Sequence, residues 1–296
     1  MADEEQGFDL ASASSWDVAT RYHDFKSRPG FAHLTKQLRQ ISAHAVLKRA
    51  EAVLGSVVHP VLQGSGTLDA IPKDATQVEI DLDETLQNSI LGFRNADRSG
   101  FSTRDIYVEF STPRKKPLIL TVDTSLSMTG EKLAITAVAL AVVLLQFPED
   151  PLGIIAFENV ARVLKRPDEV ISVAELVERF LDVPAQGYTH LEDGMRGALK
   201  LMQKSGRRSG QGMPRNISTV LVTDGKYTAG RDPAYLAPRF PHLVVMKMGR
   251  EKASLQLCRD LARLGRGSLR QVPELEALPA VMYGVVKDIL RGRAQT

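Results

Sequence analysis

The chain has 296 residues, 43% apolar, 25% charged and 6% aromatic, with a formal net charge of +3. These values describe a globular protein of one or two packed cores and exclude collagen-like, wholly disordered and disulfide-stapled chains. The single Cys258 cannot form an internal disulfide, which suits a reducing compartment and an expected cytoplasmic location. The start, Met-Ala-Asp-Glu-Glu-Gln, lacks the basic-then-apolar order of a secretory signal. The most apolar run, Leu133 to Phe147, is too short to span a bilayer and reads as a buried helix.

Charge is unevenly spread: residues 1–100 hold 10 Lys/Arg against 14 Asp/Glu, and residues 101–296 hold 28 against 21. The densest basic spots, Lys115-Lys116 and Arg207-Arg208, are short and lack interleaved aromatics, so no nucleic-acid partner is expected. The first fifteen or so residues are acidic and rich in Ser and Ala, a composition expected to be disordered. Ser15 is placed to cap a short helix carrying Trp16, Ala19 and Tyr22 that ends before Pro29. A longer helix puts Phe31, Leu34, Leu38, Ile41 and Ala45 on one stripe, with Gly55 as its stop. Gly64 to Asp74 reads as loop. Val78, Ile80 and Leu82 alternate like a strand, and Asp83 is placed to cap a helix through Leu91. Residues 1–103 are thus expected to form a mainly helical extension, whose aromatics Phe8, Trp16, Tyr22, Phe25 and Phe31 pack it onto the C-terminal two thirds of the chain.

From residue 104 strands alternate with helices. Ile106, Val108 and Phe110 alternate, and residues 117–122 form an apolar run. A helix apolar on most sides then spans Gly130 to Phe147. Strands are expected at Leu152–Phe157, Val163-Leu164, Ile217–Thr223 and Leu243–Met248, and helices at Val173–Leu181, Thr189–Lys204, Leu255–Leu264 and Leu275–Leu290. This is an α/β pattern: a doubly wound, mostly parallel sheet with helices on both faces, here residues 104–296. In such sheets ligands bind at the carboxyl ends of the strands.

At those ends the chain places Asp123-Thr124-Ser125-Leu126-Ser127, then Gly187-Tyr188-Thr189, then Asp224-Gly225. Two carboxylates and three hydroxyls are hard oxygen donors, suited to Mg²⁺ or Mn²⁺, less to Ca²⁺, and not to zinc. Each piece also has a plain structural use: Thr189 with Glu192 fits a capping box, and Asp-Gly is a common turn pair. Asp193, Glu175 and Glu178 are expected to be solvated on helix faces, His190 to sit on the rim, and Cys258 to be buried.

These segments resemble the metal-ion-dependent adhesion site (MIDAS) of von Willebrand factor A (VWA) domains: Asp-x-Ser-x-Ser, a distant Thr, then Thr-Asp-Gly, in family order over residues 105 to 290. The resemblance implies that Ser125, Ser127 and Thr189 touch the ion, while Asp123 and Asp224 hold it directly or through water. It also implies a binding module whose partner completes the ion's shell with an acidic side chain. Residues 120–133, Leu-Thr-Val-Asp-Thr-Ser-Leu-Ser-Met-Thr-Gly-Glu-Lys-Leu, are most similar to bacterial A-domain proteins that work with MoxR-type AAA+ ATPases, the magnesium-chelatase D subunit being a relative. The implied role is adaptor or co-chaperone of such an ATPase. Gly187-Tyr188-Thr189 departs from the usual Gly-Gly-Thr, leaving the oxygen donor in place but adding bulk beside it.

Two alternatives stand beside this reading. Asp123 could serve a magnesium-dependent phosphatase or phosphotransferase as nucleophile, but Ser125 stands where haloacid-dehalogenase-like enzymes need a second Asp, and the chain has no phosphate-binding loop. The other is a scaffold whose ion is structural. No catalytic activity is expected.

Overall fold

The computed structural model describes residues 13–54, 61–71, 75–93, 103–113, 117–185, 187–208, 217–252 and 254–290. The acidic start, the stop at Gly55, Lys73-Asp74 and Lys115-Lys116 lie outside them. The chain forms two compact units: residues 1–56 with 116–296, and residues 57–115. This differs from an extension ending at residue 103, because the N-terminal helices and the central segment go to different units.

The larger unit begins with α1 (Ser15–Thr20), α2 (Tyr22–Ser27) and, after a 3₁₀ turn, α3 (Thr35–Val53). Ser14, not Ser15, caps α1: its hydroxyl accepts from the Asp17 N–H while the Asp17 carboxylate accepts from the Ser14 N–H, a reciprocal capping box.

The smaller unit holds β1 (Val61–Thr67), β2 (Thr76–Ile80), α4 (Leu82–Phe93) and β3 (Tyr107–Pro113), with an antiparallel sheet in the order β1-β3-β2. The stretch expected as loop from Gly64 is in part a strand. It is specified by backbone pairing, Gly64 opposite Phe110 and Gly66 opposite Val108, which apolar alternation does not reveal. Asp81, not Asp83, starts α4, its carboxylate accepting from the Glu84 N–H. β3 was expected to open the α/β pattern; it belongs here instead.

The rest of the larger unit runs β4 (Leu118–Asp123), α5 (Glu131–Gln146), β5 (Leu152–Phe157), β6 (Ala161–Lys165), α6 (Val173–Leu181), α7 (Leu191–Arg208), β7 (Ser218–Thr223), β8 (His242–Met248), α8 (Leu255–Leu264), β9 (Leu269–Val272) and α9 (Leu278–Leu290). Its six-stranded sheet has the order β6-β5-β4-β7-β8-β9, with β6 antiparallel to β5 and every other pair parallel. Strands buried on both faces explain the unbroken apolar runs. Ile119, Ile155, Leu221 and Val245 share a core with Leu191 and Met195 of α7 and Leu261 of α8. The alternate residues turn to the opposite face, which α5 covers. α5 is buried at every position from Leu133 to Leu144, because α3, α6 and α9 surround its outer side.

The N-terminal helices are therefore part of this core. Tyr22, Phe25, Leu38, Val46 and Ala50 are all buried; of the other aromatics expected to pack, Trp16 and Phe31 are half-buried and Phe8 lies outside the described residues. The Arg49 guanidinium stacks 4.2 Å over the Trp16 ring. At the C-terminal end of α6, the Lys26 ammonium donates to the Asp182 carbonyl at 2.7 Å and Arg39 pairs with the Asp182 carboxylate at 2.6 Å. Cations there also meet the negative end of the helix.

Two outcomes are expected. A chain lacking residues 1–56 bares the outer side of α5 and should lose cooperative thermal unfolding; retention of a single sharp transition by differential scanning calorimetry would contradict this packing. The second concerns His23, whose Nε2 is buried with no hydrogen-bond partner among the described residues. Burial first, then the Lys26 charge, push its pKa down to about 4, against the opposing effect of Asp182. The unfolded imidazole takes a proton near 6.5, so stability is complete above that pH and declines as pH falls toward 4. Between pH 7 and 5 the loss should be on the order of 1–2 kcal/mol by urea titration, and His23→Leu should flatten it.

Candidate functional site

In a sheet where the first strand, β4, lies between β5 and β7, the crossovers leave on opposite sides of β4. The strand order reverses between β4 and β7, and a crevice opens there at the carboxyl edge. Asp123 ends β4 and Asp224 follows β7, so the two carboxylates stand on either side of it.

Asp123 is 0% exposed. One carboxylate oxygen accepts from the Ser125 N–H at 2.9 Å, and the other accepts from the Thr223 hydroxyl at 2.8 Å. The first bond folds the chain after β4 into a tight turn that sets the Ser125 and Ser127 hydroxyl oxygens 3.3 Å apart. The second is possible because β4 and β7 run in register, Val122 opposite Val222. Burial pushes Asp123 up to about 6; the Ser125 and Thr223 hydrogen bonds work against this, and the neighbouring Asp224 charge adds to it. Among the described residues neither Asp123 nor Asp224 forms an ion pair.

Hydrogen bonds draw the other segments to the same edge. The Leu126 N–H donates to the Gly187 carbonyl at 3.2 Å, joining the serine turn to the loop before α7. The Thr189 N–H donates to the Thr228 hydroxyl at 3.0 Å, and the Thr228 N–H returns to the Thr189 carbonyl at 3.0 Å, joining that loop to the one after Asp224. Thr189 is buried, yet its hydroxyl makes no hydrogen bond among the described residues. α7 starts at Leu191, and the Glu192 carboxylate accepts instead from the Arg231 N–H, the Arg196 guanidinium and the Tyr235 hydroxyl. The capping-box use of Thr189 is not realised, which leaves its oxygen free for a ligand.

Asp224 is held from behind: its carbonyl accepts from the Ser254 hydroxyl at 2.6 Å, and its carboxylate accepts from the Lys226 N–H at 3.0 Å. Gly225 follows at φ +78°, where an added Cβ would stand 2.6 Å from the Cys258 sulfur. The Cys258 thiol is buried and pushed up to about 11 by that burial, as an inert packing residue should be.

The structure thus gathers all five expected residues onto three hydrogen-bonded loops at one edge. Sequence reading missed Thr223, Thr228 and Ser254. Thr223 carried a signal, as the last strand residue before Asp224, but its link to Asp123 depends on strand order. His190 lies aside as expected, its Nδ1 3.1 Å from the Asn159 carbonyl. Asp193 is not merely solvated, since its carboxylate accepts from the Ala161 N–H at 2.7 Å. Two carboxylates that form no ion pair among the described residues, plus three hydroxyls, suit a hard divalent ion. No cluster of three or more His, Cys, Asp or Glu able to hold a metal occurs among the described residues. Three large apolar side chains crowd the same loops: Leu126, Tyr188 and Tyr227 are 62%, 69% and 40% exposed.

Gly225→Ala should destabilise the fold by roughly 2–4 kcal/mol, combining a left-handed backbone with a clash against Cys258 and Ser254. Denaturant unfolding at wild-type midpoint would show that this turn relaxes freely.

Among solved structures, the chain is similar to proximal thread matrix protein 1 from the mussel byssus, solved with a zinc-occupied MIDAS motif: 16% identity, TM-score 0.49, covering 60% of this chain and 48% of that one. It is also similar to a von Willebrand factor type A protein from Catenulispora acidiphila, at 12% identity and TM-score 0.48, covering 80% and 51%. An aerotolerance-related membrane protein from Bacteroides fragilis matches at 16% identity and TM-score 0.45, covering 59% and 98%. The chain spans about half the length of the first two. Among the described residues no helix is long and apolar enough to cross a membrane. The family model for the von Willebrand factor type A domain matches residues 118–226, and the larger unit has a VWA-like α/β fold.

Proposed function

We propose that this chain is a metal-dependent protein-binding module in which Asp123, Ser125, Ser127, Thr189 and Asp224 hold one Mg²⁺ or Mn²⁺ ion. The observation that carries the reading is the buried Asp123 carboxylate, close enough to Asp224 to feel its charge, with neither acid in an ion pair among the described residues. When bound, the ion supplies a Lewis-acidic coordination position for a partner's carboxylate. The chain's own residues do the rest. Thr223 and the Ser125 N–H hold Asp123 in one rotamer, Ser254 anchors the Asp224 turn, and Leu126, Tyr188 and Tyr227 offer apolar surface around the entry. An exposed apolar rim about a polar centre is what a protein partner uses to exclude water.

The finer reading is an adaptor for a MoxR-type AAA+ ATPase, in the cytoplasm, contacting the ATPase or a client through an acidic residue. It rests on the similarity of residues 120–133 to such proteins and on the lack of a phosphate-binding loop, so that any nucleotide hydrolysis belongs to the partner. The phosphatase alternative is disfavoured by Ser125, which stands where haloacid-dehalogenase-like enzymes need a second Asp as acid and base.

Calorimetric titration with Mn²⁺ should show one site. Asp123→Ala should abolish it, and Ser127→Ala should weaken it less. Thr223→Val, which removes no ligand, should still weaken it roughly 10- to 100-fold, as loss of an outer-shell support does. Equal Mn²⁺ affinity for wild type and Asp123→Ala would refute the site.

A further inference from the structure

A second surface lies at the side of the sheet, along the edge strand β6. Gly197 brings α7 down on the edge strand β6, so closely that a Cβ there would stand 2.8 Å from the Ala161 Cβ. Beyond that point helix and strand diverge, opening a groove of about 570 Å³. Its floor is Val160, Val163 and Leu201, and its walls carry Lys200 and Lys204 from α7 and Arg166 from the end of β6. Val160 and Val163 are 54% and 49% exposed, which is much for β-branched residues bordering one cavity.

The charges point to the occupant. Lys200 and Lys204 are one helical turn apart, an arrangement that repels on an isolated helix. Arg166 faces the same cavity, and among the described residues none of the three forms an ion pair. Two acids line the groove as well, Asp168 and Asp193, against the three cations; Asp193 is committed to the Ala161 N–H at 2.7 Å. The backbone edge of β6 is also used from within, since the Leu164 carbonyl accepts from Arg179 at 2.6 Å. A partner is therefore held by side chains and does not extend the sheet as a further strand.

We infer that the β6–α7 groove docks an acidic segment of a partner protein, in which an aliphatic side chain fills the Val160–Val163–Leu201 floor and flanking carboxylates meet Lys200, Lys204 and Arg166. The inference is independent of the ion site, because no residue of this groove belongs to the Asp123 cluster. It gives the chain a second point of attachment, as a bridging protein requires, and two weak contacts on one partner reinforce each other through effective concentration.

The test uses the full chain in excess chelator, so that no divalent ion contributes. The probe is a fluorescein-labelled peptide alternating Glu and Leu, followed by anisotropy at low ionic strength. Saturable binding is expected, weakened at least tenfold by Lys200→Glu with Lys204→Glu, and likewise by Arg166→Glu from the opposite wall. These side chains are exposed, and circular dichroism establishes that the variants fold. Val163→Ser, or replacing the peptide's Leu by Ser, should each weaken binding severalfold. No saturable binding, or binding unchanged in both charge variants, overturns the proposal. So does binding that ignores Val163→Ser and is displaced equally by an oligothymidine, which would mark an unspecific basic patch.

Discussion

A carboxylate at the end of a central strand, wholly removed from solvent, is the constraint on which this edge of the molecule is built. Burying an ionised group is costly unless hydrogen bonds or an opposite charge compensate. Asp123 has the first in the Ser125 N–H and the Thr223 hydroxyl. In place of the second it has another carboxylate, Asp224, on the adjoining loop. Two acids converging with no ion pair among the described residues are a poor way to stabilise a fold and a good way to hold a divalent ion. The surrounding bonds make sense in that light. Thr223 and Ser254 fix the two acids, and the Leu126–Gly187 and Thr189–Thr228 pairs fix the loops that carry the hydroxyls.

Much of this was legible in residue order. The buried strands of the parallel sheet showed as apolar runs, and α6 and α8 matched their expected limits, Val173–Leu181 and Leu255–Leu264. The site residues were legible because each follows or precedes such an element. What escaped was whatever depends on pairing between distant strands. β1 is too rich in glycine and β9 too short, at four residues, to leave a periodic mark. The membership of β3 in the small sheet follows from register with β1 and β2, which periodicity cannot express. The Thr223–Asp123 bond spans 100 residues and needs the order β4-β7 to be known.

The helical N-terminus shows the same limit from another side. Its apolar stripe announced a packed helix, but not the surface it covers. The all-round apolar character of α5 was the complementary clue: a helix buried on every side needs covering beyond the sheet on which it lies. α3 supplies part of that covering. The edge carrying Asp123 and Asp224 and the β6–α7 groove thus belong to one compact unit that includes the N-terminal helices.

The central claim is that one divalent ion sits between β4 and β7, and crystals of the full chain soaked in Mn²⁺ test it most directly through anomalous scattering at the manganese edge. The account places a single strong peak within coordinating distance of the Ser125, Ser127 and Thr189 hydroxyl oxygens, with the Asp123 and Asp224 carboxylates beside it. A map with no peak there, or with manganese only at surface carboxylates elsewhere, would contradict it.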